Sequence, residues 1–316
     1  MEKHGFSFNA RTLKSMARNI ARHYQLYIFI LLPIIWLVLF RYVPMVGAQI
    51  AFRRYNVRDG IWGSEWVGMF QFLKFFSSYQ FMRVVPNTIR LSFYSLIAGF
   101  PIPIILSLCL NAMRSVRYRK IVQTVTYMPH FISVVVMVGM MMAVLNPRIG
   151  IYGVIGRAFT GAYPGDLFAA AGNFPHMYVW SGIWQSMGWS TIIYMAALSS
   201  ADMEQHEAAQ IDGATRFQRI LHVDLPVIIP TATILLILNS GYIMSVGFEK
   251  VYLMQNRLNL STSEVISTYV YKVGLAAGAA DFSYSTAIGM FNSVVNMIIL
   301  IIVNFFAGRL SSTSLW

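Results

Sequence analysis

The residues with the most distinctive chemistry lie together in one polar stretch, Asp202 to Pro226, which reads DMEQHEAAQIDGATRFQRILHVDLP. Asp202 is a helix-capping type, and Gln205 three residues on gives a partial capping box. Met203 to Asp212 then reads as a short helix, closed by Gly213 where a left-handed residue is wanted. Phe217, Ile220, Leu221 and Leu225 fall on one stripe at spacings of three and four, so a second short helix is expected. Pro226 and Pro230 mark the return to an apolar run. The chemistry on offer is contact rather than catalysis. Ala208 and Ala209 are small enough for another backbone to come close, and Glu207 presents a carboxylate. Gly213 lets two helices meet at a sharp angle without a Cβ clash.

Catalytic patterns are missing elsewhere. None of the six lysines follows a glycine, so the chain carries no phosphate-binding P-loop and no ATPase site. The six histidines are scattered, with no His-Glu-x-x-His, and Cys109 is the lone cysteine, which excludes an internal disulfide or thiolate metal site. No catalytic residue, metal or bound cofactor is expected of this chain. Between Glu65 and Asp166 there is no carboxylate, and none lies within an expected membrane span. Ion-coupled carriers use intramembrane acids, so the energy for any transport is expected from elsewhere. An ATP-independent carrier or channel is the alternative reading.

These residues are set in a chain of 316 residues that is 57% hydrophobic and only 11% charged. A mean hydropathy of +0.57 fits an all-α protein that crosses a membrane several times. The net charge of +12 is spread among spans, which points to anionic lipid headgroups and not to nucleic acid. A basic tail, 1–23, precedes a first span over 24–46, which is read as retained and not as a signal peptide. Residues 47–86 carry Trp62, Trp66, Phe70, Phe72, Phe75, Phe76 and Tyr79, and predict a helix lying in the far-side interface that shields the spans. Further spans are expected over 88–112, 121–145, 176–198, 227–248 and 285–306, followed by a short tail, 307–316. Pro101 and Pro103 should kink the second, and His130 in the third reads as a packing residue. Arg41 and Arg90 are placed near span ends, where they can snorkel. Six spans put both termini on one side. The basic clusters in the tail and at Arg114, Arg117, Arg119 and Lys120 lack neighbouring acids, which favours the cytoplasm for that side.

At the polar stretch the chain resembles a known family. Glu207-Ala208-Ala209, Gly213 and Leu225-Pro226 match in spacing the EAA loop of binding-protein-dependent ABC importer permeases. Other segments look like the LplB-like permeases of the oligosaccharide and polysaccharide branch. They include Asn87-Thr88, Tyr127 to Ser133, Gly188 to Tyr194, Ser263 to Ile266, Thr268 to Tyr271, Asp281 to Tyr284 and the terminal Ser314-Leu315-Trp316. The resemblance implies a MetI-like, type I importer fold, with a five-span core over 87–306 and the first span as an addition. It implies a bacterial inner-membrane location with cytoplasmic termini, and a coupling loop at 202–226. Glu207, Ala208, Ala209, Asp212, Gly213, Leu225 and Pro226 would then serve the contact with a cytoplasmic ATPase dimer. That dimer would hold the ATP and Mg. A second permease, an extracytoplasmic solute-binding protein and an oligosaccharide cargo are the other implied partners. Sugars are held by aromatic faces, amides and hydroxyls, so Asn239, Tyr242, Asn292 and Asn296 are candidate pathway residues. Glu249, Lys250 and the loop 146–175 face the side where a binding protein would dock.

Overall fold

In a bilayer every backbone N–H and C=O must find an internal partner, so apolar runs of about twenty residues become helices. The computed structural model, which describes residues 22–310 apart from 277 and 279, is built on this rule. The expected basic tail falls almost wholly outside the described residues, as does the terminal Ser-Leu-Trp. Helix α1 (Tyr24–Leu37) runs on through a wide turn at Val38–Tyr42, and none of its residues is buried within the chain. Arg41 sits inside that wide turn, within a continuous helical run to Phe52, and not at a span end.

The aromatic segment after it is corrected by the structure. In place of one interfacial helix there is an antiparallel pair, β1 (Arg53–Arg54) and β2 (Glu65–Trp66), followed by helix α2 (Phe70–Phe76). Gly60 and Gly68 have φ of 65° and 57°, a backbone that turns the chain where a side chain would be strained. Phe52 stacks on Trp66 at 5.6 Å. Phe75, 1% exposed, meets Phe81, Tyr284 and Phe291 edge-on.

Helices α3 (Phe81–Gly99) and α4 (Pro101–Asn111) form one run that starts seven residues before the expected span. Arg90 therefore lies well inside it rather than at its end. The expected third span is broken. Helix α5 (Val116–Tyr127) ends in a tight turn at Met128–Phe131, and α6 (Val134–Val144) leaves at 100° to it. Pro129 disfavours helix in the residue before it, and Ser133 starts the new direction by accepting from the Val136 N–H. His130 stacks flat on Trp189 at 4.5 Å, a packing contact.

Helix α7 (Ile151–Thr160) lies in the long connection to α8 (Phe174–Leu198), the centre of the molecule. At about 1.5 Å per residue α8 is long enough to cross a bilayer, but its Ser, Gln and Trp residues make it less apolar than the others. Helices α3, α4 and α5 pack on one side of it, while Trp180, Trp184, Trp189 and Ile193 stay exposed. At Gly188 the backbones of α8 and α5 touch, since a Cβ there would run into the Thr126 carbonyl. Among the described residues four helices are long and apolar enough to span by themselves, and the bent α5–α6 pair makes a fifth. With α8 the arrangement is compatible with six.

After α9 (Met203–Ile211), helix α10 (Arg216–Arg219) passes through a wide turn, Ile220–Asp224, directly into α11 (Leu225–Ser240). The second short helix expected in the polar stretch is thus the start of the span itself. Pro226 has no N–H and would crowd the carbonyl four residues back. The wide turn accommodates this, with the Leu225 N–H reaching Ile220. The expectation of spans free of acids is overturned here. Asp224 lies inside the continuous helix Arg216–Ser240, so a carboxylate does enter a spanning helix, in its first turns. The span also ends at Ser240, earlier than expected. The unwound residues after it are held by Asn296, which accepts from the Met244 N–H at 2.8 Å and donates to Ser245 Oγ at 2.9 Å. Short helices α12 (Phe248–Met254), α13 (Leu260–Ser263) and α14 (Ile266–Tyr271) cap the end remote from the polar loop. Helix α15 (Phe282–Leu310) then returns across the molecule.

Candidate functional site

The polar loop has two unlike faces. Asp202 caps α9 by accepting from the Glu204 N–H at 2.9 Å, without a return bond from Gln205. Gly213 closes it with φ +77°, and the Ala214 N–H bonds the Ala209 carbonyl at 2.9 Å. Thr215 then starts α10 through a capping box with Gln218, a signal present in the sequence as Thr-x-x-Gln. On the inner face of α9, His206 Nε2 stands 3.1 Å from Asp224 Oδ1, and Asn111 Nδ2 donates to the same oxygen at 3.1 Å. A carboxylate oxygen accepts, so this contact is a hydrogen bond when His206 Nε2 carries a hydrogen. Asp224 is 3% exposed. One buried side chain therefore joins α9 to α11 and to the end of α4. Leu225 packs below it against the cluster of Leu108, Tyr194, Leu198 and Ile228, while Pro226 is exposed.

On the outer face, Met203, Glu207 and Ile211 recur every four residues and form one exposed stripe, with Ala208 beside it. Met203 is 67% and Ile211 86% exposed. Ala209, Asp212 and Gly213 border a shallow cleft together with Gln218 and Arg219. Of the residues expected from sequence to serve a partner contact, Glu207 and Ala208 lie on the exposed face and Ala209, Asp212 and Gly213 border the cleft. Sequence reasoning missed Met203 and Ile211, whose spacing from Glu207 was the available signal. It also missed His206 and Asp224, whose pairing depends on how the loop folds back.

A second feature lies between α3–α4, α8 and α11. A cavity of about 440 Å³ opens there, lined by Ser92, Ser95, Ser186, Ser190, Tyr178, Trp189, Asn239, Tyr242 and Ser245 among others. Two of the four sequence-derived pathway candidates, Asn239 and Tyr242, line it. The other two do not: Asn296 serves the unwound segment after α11, and Asn292 keeps its Oδ1 buried without a hydrogen-bond partner. Trp189 and Ser190 lie in the Gly188 to Tyr194 segment of the resemblance, but neither they nor the other hydroxyls were named as pathway candidates, because serine and tryptophan in a span carry no spacing signal. Hydroxyls, one amide and aromatic faces set among apolar side chains suit a polyhydroxylated ligand.

A helical membrane chain with a polar loop between two spans and a cavity among its helices has the architecture of a transport permease. Over residues 99–312 the sequence matches the model of the binding-protein-dependent transport system inner membrane component family, and the chain belongs to that family. It is 39% identical to Protein LplB of Bacillus subtilis over 297 residues, covering 94% of this chain and 92% of that protein. It is 37% identical to the polygalacturonan/rhamnogalacturonan transport system permease protein YteP of the same organism, covering 98% and 95%. Its fold matches a chain of a bacterial alginate ABC transporter solved in complex with an alginate pentasaccharide-bound periplasmic protein. That match has a TM-score of 0.85 at 38% identity, over 94% of this chain and 99% of that one. The chain is thus a non-catalytic, multi-pass component of an ABC transporter.

Proposed function

We propose that this chain is one of two transmembrane subunits of an ATP-driven importer of oligosaccharides derived from acidic polysaccharide. A separate ATPase dimer, which carries ATP and Mg, docks on the loop 202–226. A solute-binding protein delivers the sugar at the opposite end. The loop end faces the cytoplasm, and both termini lie on that side of the inner membrane. The carrying observation is the two-faced helix α9. Its inner face is tied by His206 to Asp224, and its outer stripe of Met203, Glu207 and Ile211 is exposed. Apolar side chains grouped on a surface mark a docking site. The rigid inner tie lets movement of a docked partner pull on α11 and α4 together. The cavity between α3–α4, α8 and α11 is the sugar pathway in this reading, with Asn239, Tyr242 and Trp189 on its wall. The relatives' polygalacturonan and alginate cargoes support an acidic sugar.

The test is copurification from detergent of the full chain with the products of its neighbouring genes, comparing wild type with Gly213→Val. Capture of an ATPase and a second permease by wild type, with loss of the ATPase in the variant, is the expected result. A wild-type chain that comes out alone and moves solute into liposomes without ATP would replace this reading with the carrier.

A further inference from the structure

Four basic side chains at the end of the molecule remote from the loop are paired with acids. Arg54 pairs with Glu65 at 3.1 Å and Lys74 with Asp281 at 2.9 Å, and Arg83 and Lys272 share Glu264 at 3.5 and 2.8 Å. Lys250, on α12, departs from this. It is 8% exposed, and its ammonium has no acid partner among the described residues. Nζ donates to the Tyr178 carbonyl at 2.7 Å and lies 4.7 Å from the centre of the Tyr178 ring. Gly182 leaves room for it, since a Cβ there would stand 3.1 Å from Nζ. An ammonium has three donors, and one is used. A buried charge without a counter-charge is unfavourable, so its presence calls for an account.

The position supplies one. Tyr178 lines the cavity, and so does Ser186, one turn of α8 beyond Gly182. Val246 and Gly247, which lead into α12, line it as well. The ammonium thus stands directly behind the far-end wall of the cavity, and no carboxylate in the lining competes for it or repels an anion. Burial lowers Lys250 to about 8, which leaves it mainly charged at neutral pH.

We propose that Lys250, seated against Tyr178 and Gly182, is a carboxylate subsite that reads the acid groups of a uronate oligosaccharide as it enters the cavity. This rests on the oligosaccharide reading above. The flexible four-carbon stem lets the ammonium leave the Tyr178 carbonyl, and a sugar carboxylate then takes its N–H groups in charge-assisted bonds. A neutral sugar offers only hydroxyls and leaves the buried charge uncompensated. Lys250 would therefore set preference for charged over neutral cargo.

The experiment uses the whole importer with its binding protein in liposomes. It measures ATP-driven uptake of a pool of uronate tri- to pentasaccharides, and of the same pool after carboxyl reduction. Wild type should favour the uronate pool at least tenfold in kcat/KM. Lys250→Met, which removes a buried charge and is expected to fold, should cut that preference about tenfold. Lys250→Arg should keep most of it. An unchanged preference in Lys250→Met, or a wild type indifferent to carboxyl reduction, overturns the subsite while the importer reading stands. Uptake of neither pool by wild type overturns the oligosaccharide reading, and the subsite with it.

Discussion

Asp224 and Lys250 are the two buried charges nearest to function, and they are handled in opposite ways. Asp224, at the loop end, has donors from two other elements on one oxygen. Lys250, at the far end, has a carbonyl and a ring face but no acid. A buried charge with its donors in place is a fixed joint, because moving either partner exposes an uncompensated group. A buried charge without a counter-ion is left open, and an arriving anion improves it. The loop end is therefore built to transmit and the far end to receive. The chain places its rigidity and its selectivity at opposite ends of its helices.

The largest effect is expected at the joint. His206→Ala leaves the Asp224 carboxylate with Asn111 alone. Removing one partner of a buried charge costs about 3 kcal/mol, and His206, with a 19% exposed side chain, admits some water, so the expected loss is at or below that figure. Thermal unfolding in detergent should show it. His206→Gln, which restores an N–H, should recover part. Uptake should fall further than ATPase capture, since docking survives while the pull on α11 and α4 is lost. Full uptake by His206→Ala would mean the joint carries no force.

Next comes the corner. Gly213 is at φ +77°, and a Cβ added there would meet nothing within 4 Å, so a side chain faces backbone strain and not a clash. The left-handed region costs a non-glycine residue roughly 1–2 kcal/mol, and valine is among the worst. Gly213→Asn should be tolerated and Gly213→Val should not. Equal ATPase capture by both would show that α9 does not need the corner to present its outer face.

These two sites also show what the sequence could reveal. Gly213 was legible because a left-handed corner leaves a glycine at a fixed distance from its helix, and the family spacing of Glu207 and Leu225-Pro226 framed it. Asp202 and the helix Met203–Ile211 were legible for similar local reasons. The His206–Asp224–Asn111 joint was not, because it links residues far apart along the chain through the fold-back of the loop. The break after Tyr127 was hidden inside an apolar run whose composition alone reads as one span. Helix α8 was legible over 176–198 in spite of Ser, Gln and Trp residues that make it less apolar than the other long helices. Its neighbours α3, α4 and α5 cover one side, and its tryptophans Trp180, Trp184 and Trp189 lie on the exposed remainder.

Lys250 gives a smaller effect with a sign that can be worked out. Its folded value is about 8 against an ordinary 10.5. Between those limits the unfolded chain binds more protons, so raising the pH favours the folded form. Below about pH 8 both states are protonated and the penalty of burial is fully present. The elements packed on α12 bring Tyr178 from α8 and Tyr269 and Tyr271 from α14, while α6 brings no titratable group. The difference between wild type and Lys250→Met cancels Tyr269 and Tyr271, and leaves Lys250 together with the Tyr178 it touches. Lys250→Met should be the more thermostable at about pH 7, and the gap should narrow by about pH 9.5. A gap that widens with pH would mean the ammonium is compensated after all, and the contrast with Asp224 would disappear.

The smallest effect on the fold is expected on the outer stripe. Met203 and Ile211 are largely exposed, and substitutions at such surface positions usually change stability by less than about 0.5 kcal/mol. Met203→Asp with Ile211→Asp should therefore leave unfolding temperature and membrane insertion as they are. The same pair places two charges, and two lost apolar contacts, in the centre of any surface that docks there. Capture of the ATPase should then fall at least tenfold. This separates the faces of α9: the joint governs stability and transmission, and the stripe governs docking. Loss of stability in the double variant would show that the stripe packs within the chain. Intact capture would move the docking surface to another part of the loop end, and Arg216 and Phe217, both exposed on α10, would be the next residues to change.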